Sequence, residues 1–191
     1  MFDFDASGII QAAWIIFLVY WFAAALSLNK MKRREPPGEW LVRLFLLGTA
    51  FLLLDRSLAV WGDLNRRFIP YSDAVEDAGA VLTCLGIAFA IWARYHIGRY
   101  WSSTVSLRAD HQLIRTGPYA HIRHPIYTGI LLAILGTGLA IGRYRAIVAF
   151  AIMLAGFAWK ASREEALLKG EFGPAFEEHK RATGFFLPHF S

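Results

Sequence analysis

The chain has 191 residues, a length suited to one domain. Apolar residues make up 56% and charged residues 18%, against about 25% charged in an ordinary soluble domain. Mean hydropathy is +0.39, so the composition excludes an ordinary water-soluble globule and points to a membrane protein. The net charge of +5 would suit nucleic acid, but the charges stand in blocks between apolar runs, as topology signals do; nucleic acid is excluded as a partner.

The acidic start MFDFDASG is unlike the basic start of a signal peptide, so no cleavable leader is expected. Five apolar segments follow in order: Ile9–Leu28, Leu41–Trp61, Ala78–Tyr95, Pro125–Ile141 and Tyr144–Ala161. The last two sit at the short end of the ~17–25 residues that span a bilayer. The link between them, Gly142-Arg-Tyr, is tight enough to force an antiparallel helical hairpin. The expected fold is all-α, an integral membrane bundle of five transmembrane helices in one domain over 1–191. Residues 9–95 hold the first three helices. Residues 96–191 hold a connector, the hairpin and a C-terminal segment.

Charge orients the bundle. Fifteen of the twenty Lys and Arg fall in three blocks, Lys30–Arg43, Arg94–Arg123 and Lys160 onward. The other five, Arg56, Arg66, Arg67, Arg143 and Arg145, belong to the opposite side. The positive-inside rule then puts the N-terminus outside and the C-terminus in the cytoplasm, which an odd number of spans permits. The expected location is the inner membrane of a prokaryote.

Several local features have ordinary readings. Cys84 stands alone inside an apolar run, so there is neither a disulfide framework nor a thiolate cluster; it reads as a small core residue. Asp55 and Arg56 near the end of the second segment read as snorkelling charges. Gly138 and Gly142 form a Gly-x-x-x-Gly pair, expected to pack against the fifth segment. Ser162–Ser191 reads as a helix, a Gly173-Pro174 break, a second helix and an aromatic tail.

The chemistry concentrates in GPYAHIRHPIYTG, residues 117–129. Pro125 suits the first turn of a helix, where its missing N–H is not needed. His124 then stands at the helix start, where N–H groups favour an anion. Tyr119 and Tyr127 are near in sequence, and the tight link returns Glu164 and Glu165 to the level of Pro125. A carboxylate for an ammonium, a helix start for a carboxylate and rings for a sulfonium or adenine suit a zwitterionic adenosyl ligand. The alternative at this point is an interfacial anchor cluster, since Tyr, Arg and His commonly sit at headgroup level. His96, His111, His121 and His124 lack the i, i+4 spacing of a zinc helix, so no metal is expected. No Gly-x-Ser-x-Gly elbow is present for a hydrolase.

The run HQLIRTGPYAHIRHPIYTG, at 111–129, resembles the signature of the isoprenylcysteine carboxyl methyltransferase family: His-x-Leu-Val, Gly-x-Tyr, then Arg-His-Pro-x-Tyr. Glu164-Glu165, Leu167-Leu168, Phe172-Gly173 and the closing Thr183-Gly184 with Pro188 also match. The resemblance covers about half the chain, Gly98 to Pro188. It extends to a wider superfamily of small membrane methyltransferases, including phospholipid methyltransferases.

The resemblance implies S-adenosylmethionine bound on the cytoplasmic side and a lipophilic acceptor reached from the bilayer. It implies cofactor contacts at His111, Gln112, Leu113, Ile114, Tyr119, His124, Pro125, Ile126, Tyr127 and Glu164. Ile114 replaces the usual valine. Lys160 stands where the isoprenylcysteine enzymes place a substrate-binding arginine. Lysine is a point charge rather than a two-pronged grip, which leaves a prenylated acid, a phospholipid amine, a fatty acid or a small thiol as acceptor. Lys160 and Arg123 are the catalytic candidates, Arg123 orienting the connector or an acceptor headgroup. Two rivals are an NADPH-dependent membrane reductase related to the sterol reductases and a non-catalytic membrane adaptor that keeps the fold.

Overall fold

The structure is a computed structural model describing residues 5–26, 37–55, 62–98, 101 and 112–189. Within them lie six α-helices: α1 Ala6–Leu26, α2 Pro37–Leu54, α3 Asp73–Ile97, α4 Pro125–Ile141, α5 Tyr144–Phe172 and α6 Pro174–Ala182. Short 3-10 turns occupy Gly62–Asn65 and Gly117–Ala120. There is no strand among the described residues, only isolated bridges between Arg67 and Arg143 and between Ile122 and Gly184. Three helices, α1, α3 and α5, are long and apolar enough to cross a membrane. The α4 helix and the Leu44–Leu54 part of α2 are apolar but shorter.

The α4 helix has the bounds expected from sequence. Pro125 opens it without losing a needed N–H, and Gly142 closes it in the left-handed conformation, φ +61°. The fifth apolar segment and the helix expected from Ser162 form one helix, unbroken for 29 residues to Phe172. Residues 162–172 contain no proline and mostly good helix formers, so nothing ends the helix before Gly173 (φ +48°) and Pro174. At ~1.5 Å per residue it is about 44 Å long, longer than a ~30 Å hydrocarbon core.

The tightest seam is between α3 and α4, and glycine makes it. Gly79 and Gly86 stand seven apart on α3, as do Gly129 and Gly136 on α4. A Cβ on Gly86 would lie 2.4 Å from the Ala133 amide nitrogen, and one on Gly136 2.5 Å from that of Thr83. Backbone therefore lies on backbone. Thr83 is buried in the seam and donates to the Gly79 carbonyl at 2.8 Å. The Trp14 indole N–H donates to Thr137 Oγ1 at 3.0 Å, which fastens α1 to the pair.

The Gly138–Gly142 expectation is half right. A Cβ on Gly138 would meet Ala146 of α5 at 3.2 Å, but one on Gly142 would meet the Arg67 guanidinium at 2.9 Å and the Ile69 carbonyl at 3.3 Å. Gly142 is a cap that makes room for an arginine. Apolar side chains such as Ile15, Ile16, Val19 and Phe22 on α1 and Phe45 on α2 stay exposed, a surface suited to lipid. Asp55 is exposed at the end of α2; Arg56 lies outside the described residues.

Candidate functional site

The connector is pinned before it reaches α4. His96 at the end of α3 is 2.9 Å from the Thr116 hydroxyl. Gly117 follows with φ +58°, and a Cβ there would lie 2.6 Å from the His96 ring. Tyr119 is then buried, and its hydroxyl donates to the Ala93 carbonyl at 3.4 Å. Burial, and secondarily the Glu164 carboxylate, hold its pKa above the usual phenol value. Tyr119, Ile126 and Ile130 belong to one apolar cluster, with Ile114 and Tyr127 packed against it.

Above this floor, α4 and α5 bring together the residues that chemistry singled out. The Tyr127 hydroxyl donates to Glu164 Oε1 at 2.7 Å. Lys160, one turn earlier on α5, places Nζ 3.8 Å from the same oxygen and 5.5 Å from the centre of the Tyr127 ring. His124 Nδ1 lies 3.6 Å from Glu164 Oε2. The Tyr127 ring is nearly parallel to Phe157 at 4.7 Å and to His124 at 5.7 Å. The Glu164 side chain keeps 23% of its surface exposed, enough to meet a ligand.

Glu165 faces elsewhere, because neighbours on a helix diverge by about 100°. It is buried, and three side chains, two from the end of the connector and one from α6, converge on it. Arg123 Nε lies at 2.6 Å, Lys180 Nζ at 2.9 Å and His124 Nε2 at 3.4 Å. Arg123 also donates through Nη1 to the carbonyls of Lys180 and Thr183. The tail is laced onto the connector by backbone bonds: Arg123 N to Gly184 O at 2.9 Å, Gly184 N to His121 O at 3.0 Å, and His124 N to Phe185 O at 3.3 Å. The Phe185 and Phe186 rings flank His124 at 5.0 and 6.2 Å. Beneath them His179 of α6 is buried, and burial first, then the nearby Arg115 and Arg123 charges, pull its pKa down to about 4.

His124, Tyr127, Glu164 and Lys160 thus form one cluster, with Pro125, Ile126 and Tyr119 buried beside it. Gln112 is exposed and Leu113 half-buried at the start of the described connector; His111 lies outside the described residues. Arg123 is engaged by Glu165 and the tail. Sequence reasoning missed Lys180 and Phe157. A basic residue three before Thr183-Gly184 was the available signal for Lys180. Among the described residues no group of three His, Cys, Asp or Glu is placed to hold a metal ion.

Comparison with known proteins gives a solved structure, a family model and curated relatives. Among solved structures, the eukaryotic intramembrane Ras methyltransferase ICMT matches with a TM-score of 0.60 at 19% identity, over 97% of this chain and 67% of that one. The fold is therefore that of a helical integral membrane protein of this type. Residues 79–170 match the isoprenylcysteine carboxyl methyltransferase (ICMT) family. The chain is 32% identical over 174 residues to the nickel-cobalt-cadmium resistance protein NccN of Alcaligenes xylosoxydans xylosoxydans, covering 88% of this chain and 72% of that protein. It is 31% identical over 108 residues to the protein-S-isoprenylcysteine O-methyltransferase of Schizosaccharomyces pombe, covering 55% of this chain and 46% of that protein. The chain belongs to the isoprenylcysteine carboxyl methyltransferase family. It spans about half the length of the S. pombe relative.

Proposed function

We propose that this chain transfers a methyl group from S-adenosylmethionine to a lipophilic acceptor reached from the bilayer, with an isoprenylcysteine-type carboxylate as the leading acceptor class. The observation that carries this reading is the Glu164 carboxylate. It is held at 2.7 Å by Tyr127 where the first turn of α4 meets α5, and stays partly open. Family membership supports the donor, and the name of the S. pombe relative supports the acceptor class.

The donor set fits a zwitterionic amino-acid group. Glu164 suits an ammonium, and the His124 imidazole beside it can hydrogen-bond a carboxylate. In this reading His111, Gln112, Leu113 and Ile114 form the connector side of the cofactor site. Tyr119, His124, Pro125, Ile126 and Tyr127 form its wall and floor, and Glu164 faces them. When bound, the sulfonium cofactor supplies an electrophilic methyl. Tyr127 fixes the Glu164 rotamer, and Phe157 fixes the Tyr127 ring. Phe185 and Phe186 exclude water from the His124 side. Such holding is the protein's main contribution, since orientation alone lowers a barrier by several kcal/mol, roughly 7–11 in the best-aligned cases.

Lys160 offers a cation to an acceptor carboxylate, which needs no general base. Arg123 acts as a positioning residue by tying the connector to α5 and the tail. The site belongs at the cytoplasmic face of a five-span bundle, N-terminus outside, in the inner membrane of a prokaryote. The link Gly142-Arg143 and the seating of Gly138 against Ala146 support α4 and α5 as its tight hairpin. The reductase and adaptor alternatives find no support in the family match.

The test is to incubate the detergent-purified protein with methyl-labelled S-adenosylmethionine and a membrane lipid extract supplemented with a prenylated cysteine. The expected result is label in a base-labile methyl ester, with the Lys160→Met variant raising the acceptor KM about tenfold, the loss of one charge-assisted contact. Label in no lipid, thiol or prenylated acid overturns the reading.

A further inference from the structure

A second feature lies at the opposite end of the helices. A cavity of about 380 Å³ is lined there by Arg67, Arg143 and Arg145, with Tyr71, Asp5 and Glu76. Arg145 and Glu164 are nineteen residues apart on one helix, about 28 Å at ~1.5 Å per residue. That is close to the ~30 Å thickness of a bilayer core. The cavity and the Glu164 cluster therefore stand at opposite headgroup levels. The aromatic rings flanking the cavity agree with that depth: Phe68, Tyr71 and Tyr144 are all exposed, as rings at a membrane interface are.

The basic wall is built deliberately. Arg67 and Arg143 are paired through their backbones. Phe68 N donates to Gly142 O at 3.0 Å and Tyr144 N to Arg66 O at 3.2 Å, which laces the loop before α3 onto the α4–α5 link. Each guanidinium is steadied by backbone carbonyls. Arg67 Nε donates to Ile69 O at 3.0 Å, Arg143 Nη1 to Asn65 O at 3.1 Å, and Arg145 Nη1 to Asp55 O at 2.6 Å. Arg145 also donates to Leu53 O. On Arg67 and Arg143 a carbonyl orients the guanidinium and occupies only part of its five-donor fork. Gly142 contributes by absence, since a Cβ there would lie 2.9 Å from Arg67 Nη2. Arg145 is 1% exposed, so its charge acts through a poorly screened medium.

The lining carries three cationic and two anionic side chains, a formal balance of +1. Asp73, bonded to the Tyr71 hydroxyl at 2.8 Å, stands just behind this lining, so the guanidinium forks rather than a net charge carry anion recognition, and the headgroup depth of the cavity favours a lipid phosphodiester. We propose that this cavity binds the phosphodiester of a phospholipid headgroup in the leaflet opposite the Glu164 cluster, gripped by Arg67 and Arg143 over the buried charge of Arg145. Planar guanidinium forks are suited to phosphate oxygens. The site is independent of methyl transfer.

The test uses the delipidated full-length protein in detergent. Dioleoylphosphatidylglycerol, dioleoylglycerol and inorganic phosphate are titrated separately, with thermal stability and native mass spectrometry as readouts. The expected result is saturable binding of one phosphatidylglycerol per chain with a rise in Tm, and no such effect from dioleoylglycerol. The Arg67→Gln/Arg143→Gln variant weakens it at least tenfold, while Lys169→Gln at the other end leaves it unchanged. Should the double variant fail to fold, the single Arg143→Gln serves, read together with phosphate competition on the wild type. Displacement of the lipid by submillimolar phosphate keeps the anion site but overturns the lipid as its source. Equal binding of dioleoylglycerol, or full binding by the arginine variants, overturns the site.

Discussion

Between α3 and α4 the contact is backbone on backbone, whereas between α4, α5 and the tail it is charge on charge. In the first region the missing side chains of Gly79, Gly86, Gly129 and Gly136 set the separation, and the buried hydroxyls of Thr83 and Thr137 donate to carbonyls of their own helices, Thr137 also accepting from the Trp14 indole. In the second, Glu165 is surrounded by Arg123, His124 and Lys180, and the tail is threaded beside them. A seam of glycines fixes position rigidly and offers a ligand nothing. Beside the group around Glu165, one carboxylate, Glu164, stays partly open. The division makes the α3–α4 seam the scaffold and gathers the polar cluster where the start of α4 meets the Glu164 turn of α5.

The largest effect is expected where volume is added to the seam. Gly86→Leu puts a side chain where a Cβ alone would lie 2.4 Å from backbone. Overpacking usually costs about 1–3 kcal/mol, and more where rigid backbone cannot yield. The variant is expected to lose its monodisperse peak in size-exclusion chromatography, while Gly170→Leu, with open space around it, keeps its own. A normal peak for Gly86→Leu would break the contrast.

Next in size is the loss of one charge from the group around Glu165. Arg123→Gln leaves Glu165 with fewer partners in a poorly solvated site, where removing half of an ion pair costs about 3 kcal/mol. The effect should be local. Amide exchange at Gly184 and His189, both bonded to the His121 carbonyl, is expected to accelerate at least tenfold with the α3–α4 seam unchanged. Acceleration spread evenly over all helices contradicts the division.

The smallest effect is a pH dependence. Burial holds His179 neutral, with its pKa lowered to about 4. An unfolded histidine titrates near ~6.5. Folding therefore favours the neutral form. That contribution is fully present above pH ~6.5 and is lost as pH falls toward ~4. Tail protection in wild type is expected to weaken across that window, and His179→Gln to flatten the dependence. A profile unchanged by that substitution assigns the window to other groups.

Much of this was legible in the sequence, and unevenly so. The bounds of α4 followed from Pro125 and Gly142, residues whose backbone limits are absolute. The meeting of His124 and Tyr127 with Glu164 followed from the short link, which leaves two helices one way to return. The break at Gly173-Pro174 was legible, but not that the apolar segment ending at Ala161 and the helix from Ser162 are one; polarity marks the edge of the apolar span, not of the backbone hydrogen bonding. The glycine seam was overlooked because its signal is a seven-residue spacing shared by two helices, visible only once they are paired. Gly142 shows the converse, a residue in a packing motif that serves as a cap beside Arg67. The contact of Arg123 with Glu165 joins residues 42 apart, and spacing alone does not predict such a pair.

Glu164, held by the Tyr127 hydroxyl at 2.7 Å, is proposed to take part in binding the methyl donor. Equilibrium binding of S-adenosylmethionine to the detergent-purified protein tests it most directly, with Glu164→Gln and His124→Ala alongside wild type. The account predicts saturable binding by wild type, at least tenfold weaker binding by both variants, and a thermal transition of Glu164→Gln close to that of wild type. The absence of saturable binding, or equal affinity in all three proteins, would contradict it.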